Sequence, residues 1–323
     1  MNLINSYTSA NSLPFKIFKD VELLKSIINY QKILPRHVQL SPTNKCNLNC
    51  SFCSCKLRDL NSEWSARDTD EIVELLVKIG TEAVTITGGG EPLMFPLIDR
   101  LIDNLKKSSI KIGLVSNGKI LPKQIVMENI IWHRISFSDE RNFDDTFISN
   151  VNEWSKTKTD LAFSYVLTSH LNYQKVCQIV ELANLLNFTH VRLVSDILNP
   201  QVAKLMNSVK KYLKISKIDD KLVIYQSRDN YSNGTKKCFI SLLKPFIYSD
   251  GNIYPCCGSQ YALVDEKRTI PNRMKMGHHT DLAKIVDQQL SFNGEICDVC
   301  YYTAYNDVLT QLVSRDLKHE EFI

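Results

Sequence analysis

Three cysteines near the N-terminus of this 323-residue chain are spaced as ligands of an iron–sulfur centre. The segment TNKCNLNCSFCSC, residues 43–55, holds Cys46, Cys50 and Cys53 in the pattern C-x3-C-x2-C. Three thiolates in one tight loop can each bind one iron of a cubane 4Fe–4S cluster, which leaves the fourth iron without a protein ligand. Such an open iron suits a small chelating ligand better than simple electron storage. A zinc site is the alternative, although zinc takes four ligands and usually C-x2-C pairs.

A second group of cysteines lies near the C-terminus. Cys238, Gly251 and Cys256 follow the pattern C-x12-G-x4-C. Cys297 and Cys300 then form a C-x2-C pair. Because ten cysteines in a reducing compartment are poor candidates for a disulfide framework, the two separated groups predict two metal centres. A structural zinc ribbon with the same four thiolates is the alternative for the second group.

The composition is that of a globular protein with a sizeable core. Hydrophobic residues make up 44% of the chain and charged residues 23%. The formal net charge of +4 does not indicate an extended nucleic-acid surface or a membrane patch. The N-terminus lacks the pattern of a signal peptide, and no apolar run approaches the roughly 18 residues of a membrane span. We therefore expect a cytoplasmic protein.

Strand and helix patterns alternate along the chain from about residue 37. The predicted strands are 37–42, 83–87, 111–116, 134–138, 161–168 and 190–195, and the predicted helices are 66–80, 97–107, 121–130, 142–156, 172–187 and roughly 198–214. Six such units predict an α/β fold with a parallel sheet, too few for a closed eight-stranded barrel but suited to an open, partial (β/α)6 TIM-like barrel. The active site is expected in the loops after the strands, where the first cysteines lie.

The alternation is predicted to end near residue 215, before a small cysteine-bearing appendage. Two short apolar runs flank the Ser-Asp-Gly-Asn segment at 249–252, which predicts a β-hairpin because Asp-Gly supplies the positive φ of such turns. Residues 298–315 have a helical pattern. The predicted organisation is an N-terminal extension at 1–35, a partial barrel at 36–215 and an auxiliary domain at 216–323.

The first group of cysteines resembles the signature of the radical S-adenosylmethionine (SAM) superfamily. That signature is C-x3-C-x2-C with an aromatic residue before the third cysteine, and Phe52 precedes Cys53 here. The resemblance covers about residues 36–200. It implies that Cys46, Cys50 and Cys53 hold a 4Fe–4S cluster whose free iron binds the amine and carboxylate of SAM.

The loop after the second predicted strand resembles the second landmark of the family, a Gly-Gly-Glu segment. ITGGGEPLM, residues 86–94, matches it with Gly89, Gly90 and Glu91. Glycines let a backbone approach a ligand closely, and a carboxylate can hold the methionyl ammonium of SAM. The resemblance implies that these three residues bind SAM.

Further candidates for contacts to SAM or substrate lie at the ends of later strands, namely Ser116, Asn117, Ser136, Ser138, Arg192 and Ser195. VSNG at 115–118 and ISFSD at 135–139 resemble family segments that contact the SAM ribose. Ser138 stands where the family usually has aspartate, and the aspartate of this chain comes one place late. The alternatives are a helix cap for the first segment and a surface salt bridge for Arg192.

The second group of cysteines resembles the shortened auxiliary-cluster domain called twitch, which is related to the larger SPASM domain of radical SAM enzymes. The SPASM pattern continues with more cysteines, and none follows Cys300 here. The resemblance implies one auxiliary 4Fe–4S cluster, with the ligands Cys238, Cys256, Cys297 and Cys300. Because four thiolates leave no open iron, this cluster is expected to pass electrons to or from the substrate radical.

The resemblance implies a radical SAM oxidoreductase or transformase. Such an enzyme reductively cleaves SAM to a 5′-deoxyadenosyl radical, which abstracts a hydrogen atom from a small-molecule, sugar or nucleotide substrate. An external one-electron donor such as flavodoxin or ferredoxin supplies the electron. About 36 residues precede the first strand, which is too short for the winged-helix domain of many peptide maturases. The alternatives are a radical SAM peptide maturase, by cross-linking or epimerisation, a zinc-ribbon nucleic-acid-binding protein, and a two-cluster electron carrier.

Three cysteines lie outside both predicted ligand sets. Cys55 and Cys257 flank the cluster loops, where packing or an incidental thiol is the first interpretation and donation of a hydrogen atom to a substrate radical is the second. Cys177 lies on the apolar side of a predicted helix and is expected in the core.

Overall fold

The computed structural model describes residues 9–228, 231–266 and 269–314, with side chains from residue 12 onward. The strands are β1 (His37–Leu40), β2 (Ala83–Ile86), β3 (Lys111–Ser116), β4 (Trp132–Ser138), β5 (Asp160–Leu167), β6 (His190–Ser195), β7 (Val223–Gln226), β8 (Phe246–Ile247), β9 (Asn252–Tyr254) and β10 (Gly277–His278). The helices are α1 (Ser9–Lys19), α2 (Val21–Tyr30), α3 (Ala66–Lys78), α4 (Ile98–Lys107), α5 (Gln124–Asn129), α6 (Asp145–Ser155), α7 (Tyr173–Leu185), α8 (Met206–Ile215), α9 (Ile240–Leu243), α10 (Leu282–Asp287) and α11 (Thr303–Val313).

Within these described ranges, the ten strands form one sheet in the order β10-β9-β8-β1-β2-β3-β4-β5-β6-β7. Consecutive strands from β1 to β7 pair in parallel, and a helix connects each pair. β8 is also parallel to β1, whereas β9 and β10 are antiparallel additions at that edge. The predicted α/β fold with a parallel, partial barrel is confirmed.

The first helix of the barrel illustrates how the sequence sets element bounds. Ser65 caps α3 by accepting a hydrogen bond from the backbone N–H of Asp68, whose carboxylate accepts one from Ser65 in return. Ile72 and Leu76 lie one turn apart on the buried face. Gly80 follows with a φ of 74°, a conformation that side chains disfavour, and the chain then turns into β2.

Alternation along each strand separates residues that face the helices from residues that face the barrel interior. On β4, Ile135 and Phe137 lie in the helix-side core, and the Phe137 ring is 4.9 Å from that of Phe147 on α6. Arg134, Ser136 and Ser138 therefore lie on the opposite, interior face. This face of the sheet carries the polar residues that matter for function.

The structure extends the predicted organisation at both ends of the barrel. The strand–helix alternation continues one strand past residue 215, because β7 pairs in parallel with β6. The hairpin predicted around 249–252 is confirmed as β8 and β9, with Gly251 at a φ of 75°. This hairpin joins the barrel sheet through β1. The N-terminal extension forms α1 and α2, for which we predicted no secondary structure.

No helix in the described part of the chain combines the length and the apolar character that crossing a bilayer requires.

Candidate cluster and cofactor sites

The three N-terminal cysteines lie in the loop that follows β1, at the carboxyl end of the strand. Cys46, Cys50 and Cys53 are all half-buried, and the backbone N–H of Cys53 donates to the carbonyl of Cys50 at 3.3 Å. Burial raises the pKa of the Cys50 thiol to about 11, although nearby Arg141 opposes this shift, and the other two cysteines add to it. The three sulfurs therefore share one electrostatic environment. Bound iron would stabilise their thiolate forms, which makes this donor set suitable for a cluster.

Two arginines beside this loop were not identified from the sequence. Arg58 donates from Nη1 to the sulfur of Cys53 at 3.7 Å and to the carbonyl of Cys55 at 2.7 Å. Arg141 is buried, and its guanidinium donates to the carbonyls of Ser136 and Asn117. Burial lowers the pKa of Arg141, whereas the Cys50 thiol and Glu91 oppose that shift. Both cations place positive charge where a thiolate-bound cluster would concentrate negative charge.

The Gly-Gly-Glu loop after β2 is hydrogen-bonded to the start of the cysteine loop. The backbone N–H of Gly90 donates to the carbonyl of Thr43 at 3.1 Å, and that of Glu91 donates to the carbonyl of Lys45 at 2.8 Å. A Cβ atom on Gly90 would lie 2.1 Å from the Lys45 carbonyl oxygen, and one on Gly89 would lie 2.1 Å from Oδ1 of Asn44. The two loops can approach this closely only because both positions are glycine.

Glu91 is a buried carboxylate, 3% exposed, that joins three loops. Its Oε1 accepts a hydrogen bond from the backbone N–H of Leu93 at 3.1 Å, and its Oε2 accepts one from that of Asn117 at 2.7 Å. Burial raises the pKa of Glu91 to about 7, although these two hydrogen bonds oppose the shift. A cationic ligand would stabilise the ionised form, because each carboxylate oxygen keeps a free lone pair.

The two candidate residues at the end of β3, Ser116 and Asn117, have side chains that point to different partners. Ser116 lies on the helix-facing side, where its Oγ is 2.8 Å from Nε2 of His133. Asn117 donates from Nδ2 to Oδ1 of Asn47 at 2.6 Å. Because Asn47 lies between the first two cysteines, Asn117 is attached to the cysteine loop, whereas the Ser116 side chain points away from it.

The two polar side chains at the end of β4, those of Ser138 and Asp139, differ in their hydrogen bonding. The Oγ of Ser138 is buried without a hydrogen-bond partner among the described residues, whereas the Asp139 carboxylate accepts from Tyr165, Thr168 and Asn172. Asp139 therefore connects the end of β4 to the loop after β5. Its position, one residue later than the aspartate of the family segment, suits these contacts. An unpaired interior hydroxyl fits a polar ligand such as a ribose.

The two candidates on β6 lie at positions of opposite parity, with Arg192 facing inward in the middle of the strand and Ser195 at its end. Arg192 donates from Nη2 to Oγ of Ser164 at 3.3 Å and has no ion pair among the described residues, so the surface salt bridge is not observed. The Oγ of Ser195 accepts from the backbone N–H of Arg228 at 2.9 Å. Phe52, the aromatic residue of the signature, is half-buried in the cysteine loop.

The four C-terminal candidates for cluster ligands come together around one small cavity, lined by Cys238, Cys256, Cys297 and Cys300. The backbone N–H of Tyr302 donates to the sulfur of Cys300 at 3.3 Å, and Nδ2 of Asn306 donates to that of Cys238 at 3.8 Å. Burial raises the pKa of Cys238 to about 11 and that of Cys297 to about 12. The four thiols and the amide donors beside them fit a thiolate-ligated cluster.

The arrangement of the described residues in the two cysteine groups favours a cubane cluster over a single metal ion. In the described residues, no three His, Cys, Asp or Glu side chains are placed to share one metal ion. The thiolates of a cubane each bind a different iron, so they lie farther apart than the ligands of one ion.

The two cysteine regions contact each other. The Oγ of Ser54 donates to Oε1 of Gln260 at 3.0 Å, and Nε1 of Trp64 donates to the carbonyl of Tyr248 at 2.7 Å. The auxiliary segment therefore covers the side of the barrel that carries the first cysteine loop.

The three remaining cysteines differ in their surroundings. Cys55 is buried close to Cys53 and Tyr248, and burial raises its pKa. Cys257 is half-buried and interacts electrostatically with the interior cations, Arg192 included. Cys177 is partly buried against the core on α7, as expected.

Residues 40–128 match the family model of the Radical SAM superfamily. The matched segment contains the first three cysteines, the Gly-Gly-Glu loop and β3. This segment is a Radical SAM domain, as the sequence predicted. The Radical SAM family implies a 4Fe–4S cluster and SAM as cofactors.

Curated relatives match part of the chain. The GTP 3′,8-cyclase of Synechocystis sp. is 29% identical over 167 residues, which is 46% of this chain and 50% of the cyclase. The S-adenosylmethionine-dependent nucleotide dehydratase of Flammeovirga pacifica is 30% identical over 112 residues, 33% of this chain and 38% of the dehydratase. The chain thus spans half or less of the length of these relatives.

Solved structures match most of the fold. Streptococcus suis SuiB bound to S-adenosylmethionine superposes with a TM-score of 0.60 at 16% identity, covering 87% of this chain and 72% of SuiB. The structure of anSMEcpe with bound AdoMet and Cp18Cys peptide gives 0.58 at 16% identity, covering 88% of this chain and 84% of anSMEcpe. These likenesses show a shared fold.

Proposed function

We propose that this protein reductively cleaves SAM and abstracts a hydrogen atom from a small-molecule, sugar or nucleotide substrate. The observation that carries the proposal is the pair of hydrogen-bonded loops after β1 and β2, one holding three cysteines and the other a buried carboxylate. The nucleotide-related names of two sequence relatives near 30% identity favour a small substrate over a peptide. Electrons would come from an external one-electron donor such as flavodoxin or ferredoxin.

The residues of the first site have separate roles in this proposal. Cys46, Cys50 and Cys53 would hold the cluster, which together with SAM supplies a 5′-deoxyadenosyl radical when both are bound. Glu91 would accept a hydrogen bond from the SAM amino group, and Ser138 would bond to a ribose hydroxyl. Water exclusion follows from the burial of Glu91 and Ser138.

The second site would hold an auxiliary 4Fe–4S cluster. Its four candidate ligands line one cavity. Four thiolate ligands would leave no iron of the cluster open for substrate. The auxiliary site contacts the cysteine loop through a hydrogen bond from Ser54 to Gln260, which supports a role in electron exchange with the substrate. A structural zinc ion is the alternative for these four thiolates.

The decisive experiment is anaerobic purification followed by iron, sulfide and zinc analysis and incubation with SAM and dithionite. We expect about eight iron atoms per chain and formation of 5′-deoxyadenosine, measured by liquid chromatography. Clusters without 5′-deoxyadenosine would instead indicate an electron carrier. Zinc in place of iron at both sites would indicate a zinc-ribbon protein.

Replacing Glu91 by glutamine is expected to weaken SAM binding. Loss of one charge-assisted hydrogen bond corresponds to roughly 2 kcal/mol, or about 30-fold in affinity. Because burial raises the pKa of Glu91 to about 7, the carboxylate is ionised above that pH and protonated below it. The affinity ratio of wild type to variant should therefore be largest at pH 8 and shrink at pH 6, which titration calorimetry can measure.

Glu74→Gln is the matched control, since Glu74 is exposed on α3. Comparing wild type with Glu91→Gln at each pH cancels the effect that titration of SAM itself has on binding. An affinity ratio that stays the same from pH 6 to pH 8 would contradict a direct contact between Glu91 and SAM.

A further inference from the structure

The interior of the barrel holds a cluster of cations on and around the inward faces of its later strands. We name it the interior basic cluster, and its members are Arg134, Arg192, Arg228 and Lys244. Arg134 is on β4 and Arg192 on β6, both at inward-facing positions. The positive charges of Arg134 and Arg228 act on Arg192, and Arg134 also acts on Lys244. The four cations therefore share one region of space.

This cluster lacks compensating carboxylates. Within the described residues, none of its four members takes part in a salt bridge, although fourteen ion pairs occur elsewhere. The Nε atoms of Arg134 and Arg192 are buried without a hydrogen-bond partner. Burial, together with the charge of Arg228, lowers the pKa of Arg134 to about 10. Unpaired, desolvated cations are costly, so an anion is the partner that they need.

A cavity of about 530 Å³ adjoins the cluster. Arg134 and Lys244 line it, and its two acidic residues do not neutralise them, since Asp20 pairs with Arg36 at 3.1 Å and Asp160 is exposed. Tyr302 lines both this cavity and the pocket of the four C-terminal cysteines. A ligand bound here would therefore lie next to the predicted auxiliary cluster.

The predicted cluster ligands are not the protein groups that act most strongly on the two strand arginines. The groups that act most strongly on Arg134 and Arg192 are other cations, tyrosines and Cys257, and none of them is one of the seven predicted cluster ligands. Among the four cations, Lys244 has such a ligand, Cys256, among its strongest neighbours. The two strand arginines thus have no anionic partner in the described protein.

We propose that the interior basic cluster binds the phosphate groups of the substrate, so that the substrate is a phosphorylated small molecule with at least two negative charges. Planar guanidinium groups on fixed strands match phosphate oxygens in a bidentate geometry, and a single carboxylate would leave most of the charge unmatched. The inference rests on the proposed function, because it names the class of its substrate. The phosphates would lie at the amino ends of the strands, where the cavity is lined by the first residues of β1 to β6, and the rest of the substrate would extend towards the carboxyl-end loops that would hold SAM. An unphosphorylated peptide is the competing substrate.

Binding of tripolyphosphate, GTP and guanosine to the anaerobically reconstituted protein tests this inference. We expect tripolyphosphate and GTP to raise the melting temperature and to bind more weakly at 0.5 M than at 0.05 M salt, whereas guanosine has no effect. Arg134→Gln should weaken binding of both phosphates at least tenfold. The ligand-free variant should melt at or above the wild-type temperature, because an uncompensated cation has been removed.

Arg67→Gln is the matched control, since Arg67 is 84% exposed on α3, and it should bind as the wild type does. No stabilisation by either phosphate at 5 mM, or equal binding by Arg134→Gln and wild type, would overturn the inference. So would an Arg134→Gln protein that loses iron, because the arginine would then serve the clusters. The 5′-deoxyadenosine assay on the same samples reports separately on SAM cleavage, so the two proposals can fail independently.

Discussion

Replacing Cys50 by alanine is expected to abolish 5′-deoxyadenosine formation, with a loss of at least about 1,000-fold. Two thiolates cannot retain the first cluster, so iron should fall from about eight to about four atoms per chain. The remaining iron belongs to the C-terminal site, whose four candidate ligands lie in a separate cavity. Iron analysis, product chromatography and electron paramagnetic resonance of the reduced protein measure the three consequences.

Cys177→Ala is the control for this substitution. Cys177 packs against the core on α7 and belongs to neither candidate site, so its loss should leave iron content and SAM cleavage near wild-type levels. Retention of the C-terminal cluster shows that the Cys50 variant is folded. If that variant kept eight iron atoms and cleaved SAM, the first three cysteines would not be the ligands.

Local patterns predicted most of the barrel because its elements are encoded by short-range periodicity. The stripe with Ile72 and Leu76 and the stop at Gly80 gave the helix that the structure places at α3. The bounds differ by a few residues, since the ends of strands depend on pairing with neighbours. β7 was not predicted because four residues, VIYQ, carry too short a pattern without knowledge of the adjacent β6.

The candidate ligands could be predicted because their spacing is a local property, whereas their surroundings are not. Arg141 is a single arginine in no motif, and only the folded chain brings it to the cysteine loop. Arg58 follows that loop in the sequence, but its contact with the Cys53 sulfur depends on the fold of the loop. The interior basic cluster likewise draws its members from separate strands and loops. Side-chain direction was also hidden, because Ser116 and Asn117 are neighbours in a predicted polar segment but point to different partners.

The contact between the two cysteine regions connects the first cysteine loop to the turn that follows Cys256. Gln260 receives a hydrogen bond from the cysteine loop and ends the helical turn at 257–260 that directly follows Cys256. A structural change at Cys256 can therefore be transmitted to the first cysteine loop through this one helical turn. For this reason the auxiliary ligand chosen for substitution should lie away from that turn, as Cys297 does.

Replacing Cys297 by alanine is expected to remove the predicted C-terminal cluster and to leave the first one in place, which is the opposite of the result expected for Cys50→Ala. Iron should again fall to about four atoms per chain, but 5′-deoxyadenosine formation should persist within about threefold of wild type, because the first three cysteines are intact. Added SAM should still change the electron paramagnetic resonance signal of the cluster that remains, whereas it should not in Cys50→Ala. Glu295→Gln is the matched control, since the Glu295 side chain is exposed two residues away. If Cys297→Ala lost zinc and kept all its iron, the C-terminal thiolates would form a zinc ribbon, and electron transfer through this site would be ruled out.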